Sequence, residues 1–276
     1  MTLPLSVPID LDEILTHSVE GAHIAGKILT NNFGRLRAEE VQNKSKFDFV
    51  TAVDKAAEKA IVDYLQQFYP QHAIHAEESG KNAKSSDFKW LIDPLDGTKN
   101  YIHSFPVYSV SIGLRYRNRI VAGVVYVPDQ DELFTALIGR GAFLNGKPIH
   151  VSATTQMASC MIATGFPHAT KQCIDMYLSC FKNLFLEVSA IRRPGSAAID
   201  LAYTACGRFD GFWEFKLNPW DIGAGILLVQ EAGGKVTDPL GGSRFFDTGD
   251  LVAGTPVIHE RMIQILAPLC RDRLDW

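Results

Sequence analysis

The chain has 276 residues, 46% of them hydrophobic and 21% charged, and a formal net charge of −4. These values exclude a disordered segment and a nucleic-acid binder driven by bulk positive charge. Five cysteines (Cys160, Cys173, Cys180, Cys206, Cys270) are scattered with no C-x-x-C pair. That argues against a zinc site or redox dithiol and for small buried thiols in a reducing compartment. The segment Met1 to Leu11 has no basic start and no long apolar run, so it does not read as a signal peptide. No stretch approaches ~18 uninterrupted apolar residues, the length that spans a bilayer. A cytoplasmic location is the expectation.

Ile14, Leu15, Ala22, Ala25, Ile28 and Leu29 recur at helical spacing, predicting a helix over 11–33 with Gly34 as its stop. Residues 39–48 are polar around Lys44-Ser45-Lys46 and read as a mobile loop. A second helix is expected over 51–68, with Ala56, Ala57, Ala60, Ile61, Tyr64 and Leu65 on its buried side and Pro70 behind it. A short strand over 73–76 then meets the turn Glu77-Glu78-Ser79-Gly80. Strand patterns follow at 89–92, 107–116, 119–127, 132–137 and 142–144, with Arg117-Asn118 and Asn145-Gly146 as hairpin turns. This predicts a largely antiparallel sheet backed by two helices.

Beyond residue 152 the pattern changes. Strand signals at 160–164, 185–188, 211–215 and 252–254 alternate with helical ones at 168–181, 196–206, 219–231 and 257–269. Pro219 suits a first helical turn, and Gly233-Gly234 a stop. Alternation of this kind predicts an α/β half. Residues 1–152 thus read as an N-terminal α+β half and 153–276 as a C-terminal α/β half. No internal repeat or low-complexity tract interrupts either.

Acidic residues stand at the breaks between elements. Asp54 starts the second helix, Glu77 and Glu78 follow a strand, Asp93 and Asp96 follow another, and Asp221 lies in a first helical turn. Each alone fits a structural role as a cap, turn or solvated acid. Brought together, they would repel unless a cation held them, and all-oxygen ligands suit Mg²⁺. Spacing does not show that they converge.

The run Trp90-Leu91-Ile92-Asp93-Pro94-Leu95-Asp96-Gly97-Thr98-Lys99-Asn100-Tyr101 and the run from Trp220-Asp221 to Glu231-Ala232-Gly233-Gly234 carry a resemblance to the inositol monophosphatase family. Ala76-Glu77-Glu78-Ser79, with Ala where Gly is usual, and Thr51-Ala52-Val53-Asp54 match two further family patterns. The resemblance spans residues 12–268. It is nearest to the bacterial SuhB-like branch, on Thr164-Gly165-Phe166-Pro167 and Arg192-Arg193-Pro194-Gly195-Ser196-Ala197-Ala198.

That resemblance implies a layered αβαβα sandwich of the inositol monophosphatase/fructose-1,6-bisphosphatase type and a homodimer. It implies Mg²⁺-dependent hydrolysis of phosphate monoesters, foremost myo-inositol 1-phosphate, with two or three ions per site, Mn²⁺ as a substitute and Li⁺ as an inhibitor. One ion would take Glu77, Asp93 and the Leu95 carbonyl. A second would take Asp93, Asp96 and Asp221, and a third, near Glu77, would have Asp54 and Glu78 beyond it. Glu77 and Thr98 would activate water, supported by Asp54. Gly97 and Thr98 would face the phosphate. Substrate contacts would come from Asp96, Gly195, Ser196, Ala197, Glu214 and Asp221, and Lys44 would belong to a mobile metal-binding loop. Arg192 would lie near either the pocket or a subunit interface. Lys99 departs from the Thr frequent in this family, while Asn100 keeps to its pattern. The alternatives are histidinol phosphate, fructose 1,6-bisphosphate, a nucleotide 2'- or 3'-phosphate or a sugar phosphate as substrate. A different class of function is a non-enzymatic interaction with RNA polymerase, transcription factors or ribosomal RNA synthesis.

Overall fold

A computed structural model describes residues 7–37, 39, 41–45, 48–82, 84–166 and 174–271. Helix α1 (Leu11–Asn32) starts where the Asp10 carboxylate accepts the Asp12 and Glu13 N–H groups, at 2.9 and 3.3 Å. Strands β1 (Val41–Ser45) and β2 (Asp48–Thr51) follow as an antiparallel pair. Helix α2 (Ala52–Phe68) is opened by a reciprocal cap between Thr51 and Asp54.

Eight strands come next: β3 (Ala73–Ala76), β4 (Gly80–Lys81), β5 (Phe88–Asp96), β6 (Ser109–Tyr116), β7 (Arg119–Val127), β8 (Glu132–Leu137), β9 (Ala142–Leu144) and β10 (Lys147–Ile149). They form one sheet in the order β10-β9-β8-β7-β6-β5-β3-β4. Every neighbouring pair is antiparallel except β3 and β5, which run parallel. A five-stranded mixed sheet is built from β11 (Met161–Thr164), β12 (Ala190–Arg192), β13 (Gly211–Glu214), β14 (Lys235–Thr237) and β15 (Leu251–Gly254), ordered β12-β11-β13-β15-β14. The remaining helices are α3 (Thr98–Ile102), α4 (Ile174–Phe185), α5 (Ala197–Ala205), α6 (Pro219–Glu231), α7 (Phe245–Thr248) and α8 (Pro256–Cys270).

Three cores stack these elements into five layers. Ile14, Leu29, Ile61 and Leu65 of α1 and α2 pack on Trp90, Ile112 and Val124 of the large sheet. On its other face α5 and α6 fill the space between the sheets. Gly123 lets α6 approach closely, since a Cβ there would stand 2.8 Å from the Ala224 carbonyl oxygen. Beyond the small sheet, α4 and α8 close a third core around Trp213 and Met262. This is the αβαβα layering expected above. Among the described residues no helix is long and apolar enough to cross a membrane.

Several elements differ from expectation. Val41–Ser45 and Asp48–Thr51 pair as antiparallel strands where a loop was expected over 39–48, because backbone pairing needs no apolar alternation. Residues 185–188 are not a strand: α4 runs through Phe185, and the strand lies at Ala190–Arg192, parallel to β11. Phe185 and Leu186 are apolar yet exposed. The buried face of α2 carries Val53, Asp54, Ala57, Glu58, Ile61 and Leu65, whereas Ala56 is exposed. The expected start of a helix at His168 lies outside the described residues.

Candidate active site

Strand β5 keeps regular register with β6 as far as Asp93, then slips before Asp96. Pro94 has no N–H for the ladder, and the Leu95 N–H turns to Asp93 Oδ1 at 2.9 Å. Gly97 reverses the chain with φ +98°, where any Cβ would stand 2.8 Å from the Val107 carbonyl oxygen. Helix α3 begins one residue later. The parallel neighbour β3 ends beside this turn, with the Glu77 N–H donating to the Ile92 carbonyl at 3.1 Å.

Each acid is placed by its own anchor. Asp96 Oδ2 accepts from Ser196 Oγ and the Ala198 N–H, 2.7 Å each, at the start of α5. Asp221 Oδ2 accepts the Asn218 N–H at 2.6 Å in the first turn of α6. Asp54 is fully buried and receives the Thr51 N–H at 2.9 Å and the Thr51 hydroxyl on Oδ2. Its Oδ1 lies 3.1 Å from Thr98 Oγ1, which also lies 3.1 Å from the Leu95 carbonyl oxygen.

One cavity of about 490 Å³ is lined by Glu77, Asp93, Leu95, Asp96, Gly97, Thr98, Gly195, Ser196, Ala197, Glu214 and Asp221. Asp54 stands behind it, reached through Thr98. Lys44 lies in β1, and its side chain is outside the described residues. Arg193 lines the cavity, whereas exposed Arg192 does not.

The electrostatics show how crowded the acids are. Burial first, then the facing Glu77, Asp96 and Asp221 carboxylates, push the Asp93 carboxyl well above the usual range, with a hydrogen bond to Glu77 adding to the shift. Burial and Asp96 raise Asp221 as well. Burial lifts Asp96 to about 6 against the opposing hydrogen bonds from Ser196 and Ala198. Burial likewise lifts Glu214 to about 8. Among the described residues no three His, Cys, Asp or Glu side chains stand close enough to share one ion as they are. The donor set nevertheless fits a hard dication. The donors are carboxylates and one backbone carbonyl, and a cation would relieve the repulsion that helps raise the Asp93 carboxyl.

Three contributors are not marked by the acidic pattern. Glu58 of α2, 4% exposed, accepts the Glu78 and Ser79 N–H groups at 2.7 Å each. It therefore holds the turn that carries Glu77. Its signal in the sequence is an acid four residues after Asp54, on the same helix face. Asn100 Nδ2 donates to the Val107 and Pro194 carbonyls at 2.8 and 2.9 Å. It ties the Gly97 turn to the 193–196 loop. Lys216 also lines the cavity.

Comparison with known proteins identifies the family. The model of the inositol monophosphatase family matches residues 10–269. The chain is 45% identical over 263 residues to the Nus factor SuhB of Escherichia coli K12, covering 95% of this chain and 97% of that protein. It is 40% identical over 260 residues to a fructose-1,6-bisphosphatase/inositol-1-monophosphatase of Aquifex aeolicus, covering 92% and 96%. The crystal structure of the extragenic suppressor protein suhB from Bartonella henselae superposes with a TM-score of 0.89 at 42% identity, covering 92% of this chain and 98% of that one. By sequence and layering together, the chain belongs to the inositol monophosphatase family and so to the metal-dependent phosphatase-type hydrolases.

Proposed function

We propose that the chain hydrolyses small phosphorylated polyols or sugars with Mg²⁺, myo-inositol 1-phosphate first among them. The observation that carries this reading is the convergence of Glu77, Asp93, Asp96 and Asp221 with Leu95 and Thr98 on one cavity. Glu77, Asp93 and the Leu95 carbonyl would hold one Mg²⁺, and Asp93, Asp96 and Asp221 a second. Mg²⁺ bound there supplies a Lewis acid for the phosphoryl oxygens and a lowered pKa for water.

The chain's own residues do the rest. Asp54 orients the Thr98 hydroxyl, and Glu77 stands ready to take a proton from the attacking water. The backbone N–H groups of Gly97 and Thr98 offer donors to the phosphoryl group. Burial pushes the Glu214 carboxyl up to about 8, so its protonated form is favoured far more than in a solvent-exposed glutamate. A neutral carboxyl both donates to and accepts from a substrate hydroxyl. Ser196 and Ala197 wall the pocket beside it.

A homodimer is proposed as well, supported by the exposed Ile174, Leu178, Phe185 and Leu186 along α4 and its end. The free thiols of Cys160, Cys180, Cys206 and Cys270 support a reducing, cytoplasmic setting. A second reading, an interaction role in transcription, is favoured only by the likeness to proteins named Nus factor. The deciding assay gives folded, Mg²⁺-loaded protein inositol 1-phosphate, histidinol phosphate, fructose 1,6-bisphosphate and a nucleoside 3'-phosphate, each with and without Li⁺. Turnover suppressed by Li⁺ is expected. Release of no phosphate from any ester removes the catalytic reading and leaves the interaction role.

A further inference from the structure

Glu214, assigned above to a hydroxyl of the leaving alcohol, is seated by a missing side chain. It ends β13, which runs parallel to β11 with Thr164 beside Trp213. Gly165 follows β11 directly, is buried and lines the same cavity. A Cβ on Gly165 would stand 2.0 Å from Glu214 Oε1 and 2.1 Å from both Cδ and Oε2. Those three atoms are the carboxyl group itself. The carboxyl thus fills the volume that the Cβ of any other residue would take.

Nothing else at this position asks for glycine. Gly165 is not among the glycines with a left-handed φ, so its backbone suits other L-residues. The carboxyl is also the movable end of a flexible side chain. An alanine at 165 would therefore displace Glu214 before it displaced the strand.

Gly165 itself is held in place. Its carbonyl accepts from the Tyr177 hydroxyl of α4. The Thr164 hydroxyl, 2.9 Å from the Tyr177 oxygen, is then left to donate to it. The Tyr177 ring stacks on Trp213, the neighbour of Glu214, with centroids 4.9 Å apart. One buried tyrosine so fixes the ends of β11 and β13 against each other.

We propose that Gly165 is a positioning residue for Glu214, and that their contact sets a preference for a hydroxylated leaving alcohol over an apolar one of the same shape. This rests on the phosphatase reading, with Glu214 as the partner of a substrate hydroxyl.

The test compares myo-inositol 1-phosphate with cyclohexyl phosphate, the same ring without hydroxyls, on the whole Mg²⁺-loaded enzyme. The wild type should favour the inositol ester. Gly165→Ala should cut the ratio of the two kcat/KM values about tenfold, the upper scale of one neutral hydrogen bond, through KM for the inositol ester. Made in Glu214→Ala protein, where the space is open, the same change should leave the ratio as Glu214→Ala alone sets it. Tyr177→Phe, which loosens Gly165 without filling the space, should shift the ratio in the same direction, and it carries the test if Gly165→Ala does not fold. A glycine needed only for packing would, once replaced, slow both esters alike or act equally with and without the Glu214 carboxyl. Either result, an unchanged ratio in the variant that carries the test, or a wild type without preference overturns the inference while the phosphatase reading stands. A folded, Mg²⁺-loaded wild type that hydrolyses neither ester overturns both.

Discussion

Asp93 shows at the scale of one residue why this site is unstable by itself. Its carboxyl has an ordinary value of 3.8 in the unfolded chain and is held well above that in the fold by burial and by Glu77, Asp96 and Asp221. A raised folded value favours the fold below pH ~4, and that contribution is lost as pH rises through the folded value. In chelator, Asp93→Asn should therefore melt no lower than wild type near pH 7, with a flatter loss of stability as pH rises above ~4. In saturating Mg²⁺ its turnover should fall on the order of 10³-fold, the scale set by removing a preorganised electrostatic group. A variant that keeps turnover, or that melts well below wild type in chelator, would contradict the assignment. The acids that line the cavity are legible in the sequence because their side chains carry the chemistry and sit in dense motifs. Lys216, which lines the cavity, is not, since its peculiarity is a left-handed φ of +59° that no residue pattern announces.

Among the elements, α2 does more than cover the sheet. Its Glu58 carboxylate receives two backbone N–H groups of the 77–79 turn, so the helix fixes where Glu77 points. Glu58→Gln keeps the shape but sets an amide NH₂ against one of those donors. These N–H groups are only partly buried, so leaving one unsatisfied costs about 1 kcal/mol, the low end of the range for a buried donor. The variant should lose about that much stability to urea, and more Mg²⁺ should be needed for half-maximal turnover. If denaturation and Mg²⁺ dependence both match wild type, Glu58 has no positioning role. Elements with strong terminal signals were readable in advance. Pro219 and the Gly233-Gly234 stop bound α6 as expected. Elements fixed by tertiary pairing were not. Apolar Phe185-Leu186 imitates a strand, but the buried series Met176, Tyr177, Cys180 and Leu184 carries the helix through. The strand then forms wherever the backbone reaches β11, at Ala190–Arg192.

At the scale of the molecule, the change in pattern near residue 152 reflects the passage from the large sheet to the small one, yet the core between the sheets belongs to both. Leu91, Val125 and Phe134 of the first half pack in one cluster with Ala198, Leu201, Ile222 and Leu228 of the second. Asp221 of the second half meets Asp93 and Asp96 of the first in the cavity. Neither half can bury its share of that cluster alone, so we propose one cooperative unit built of two sequence halves. Two fully buried tryptophans report on different layers: Trp90 in the core under α1 and α2, and Trp213 in the core under α4 and α8. With the other three tryptophans replaced by Phe, variants keeping only Trp90 or only Trp213 allow each layer to be followed by fluorescence. Each should show a urea transition that coincides with loss of its own far-ultraviolet circular dichroism, as two-state unfolding requires. Unequal stabilities of the two variants are no objection, because replacing a buried Trp shifts the midpoint by itself. Separation of fluorescence from circular dichroism within either variant would mean that the halves unfold independently, and that the shared core does not couple the metal ligands of one half to those of the other.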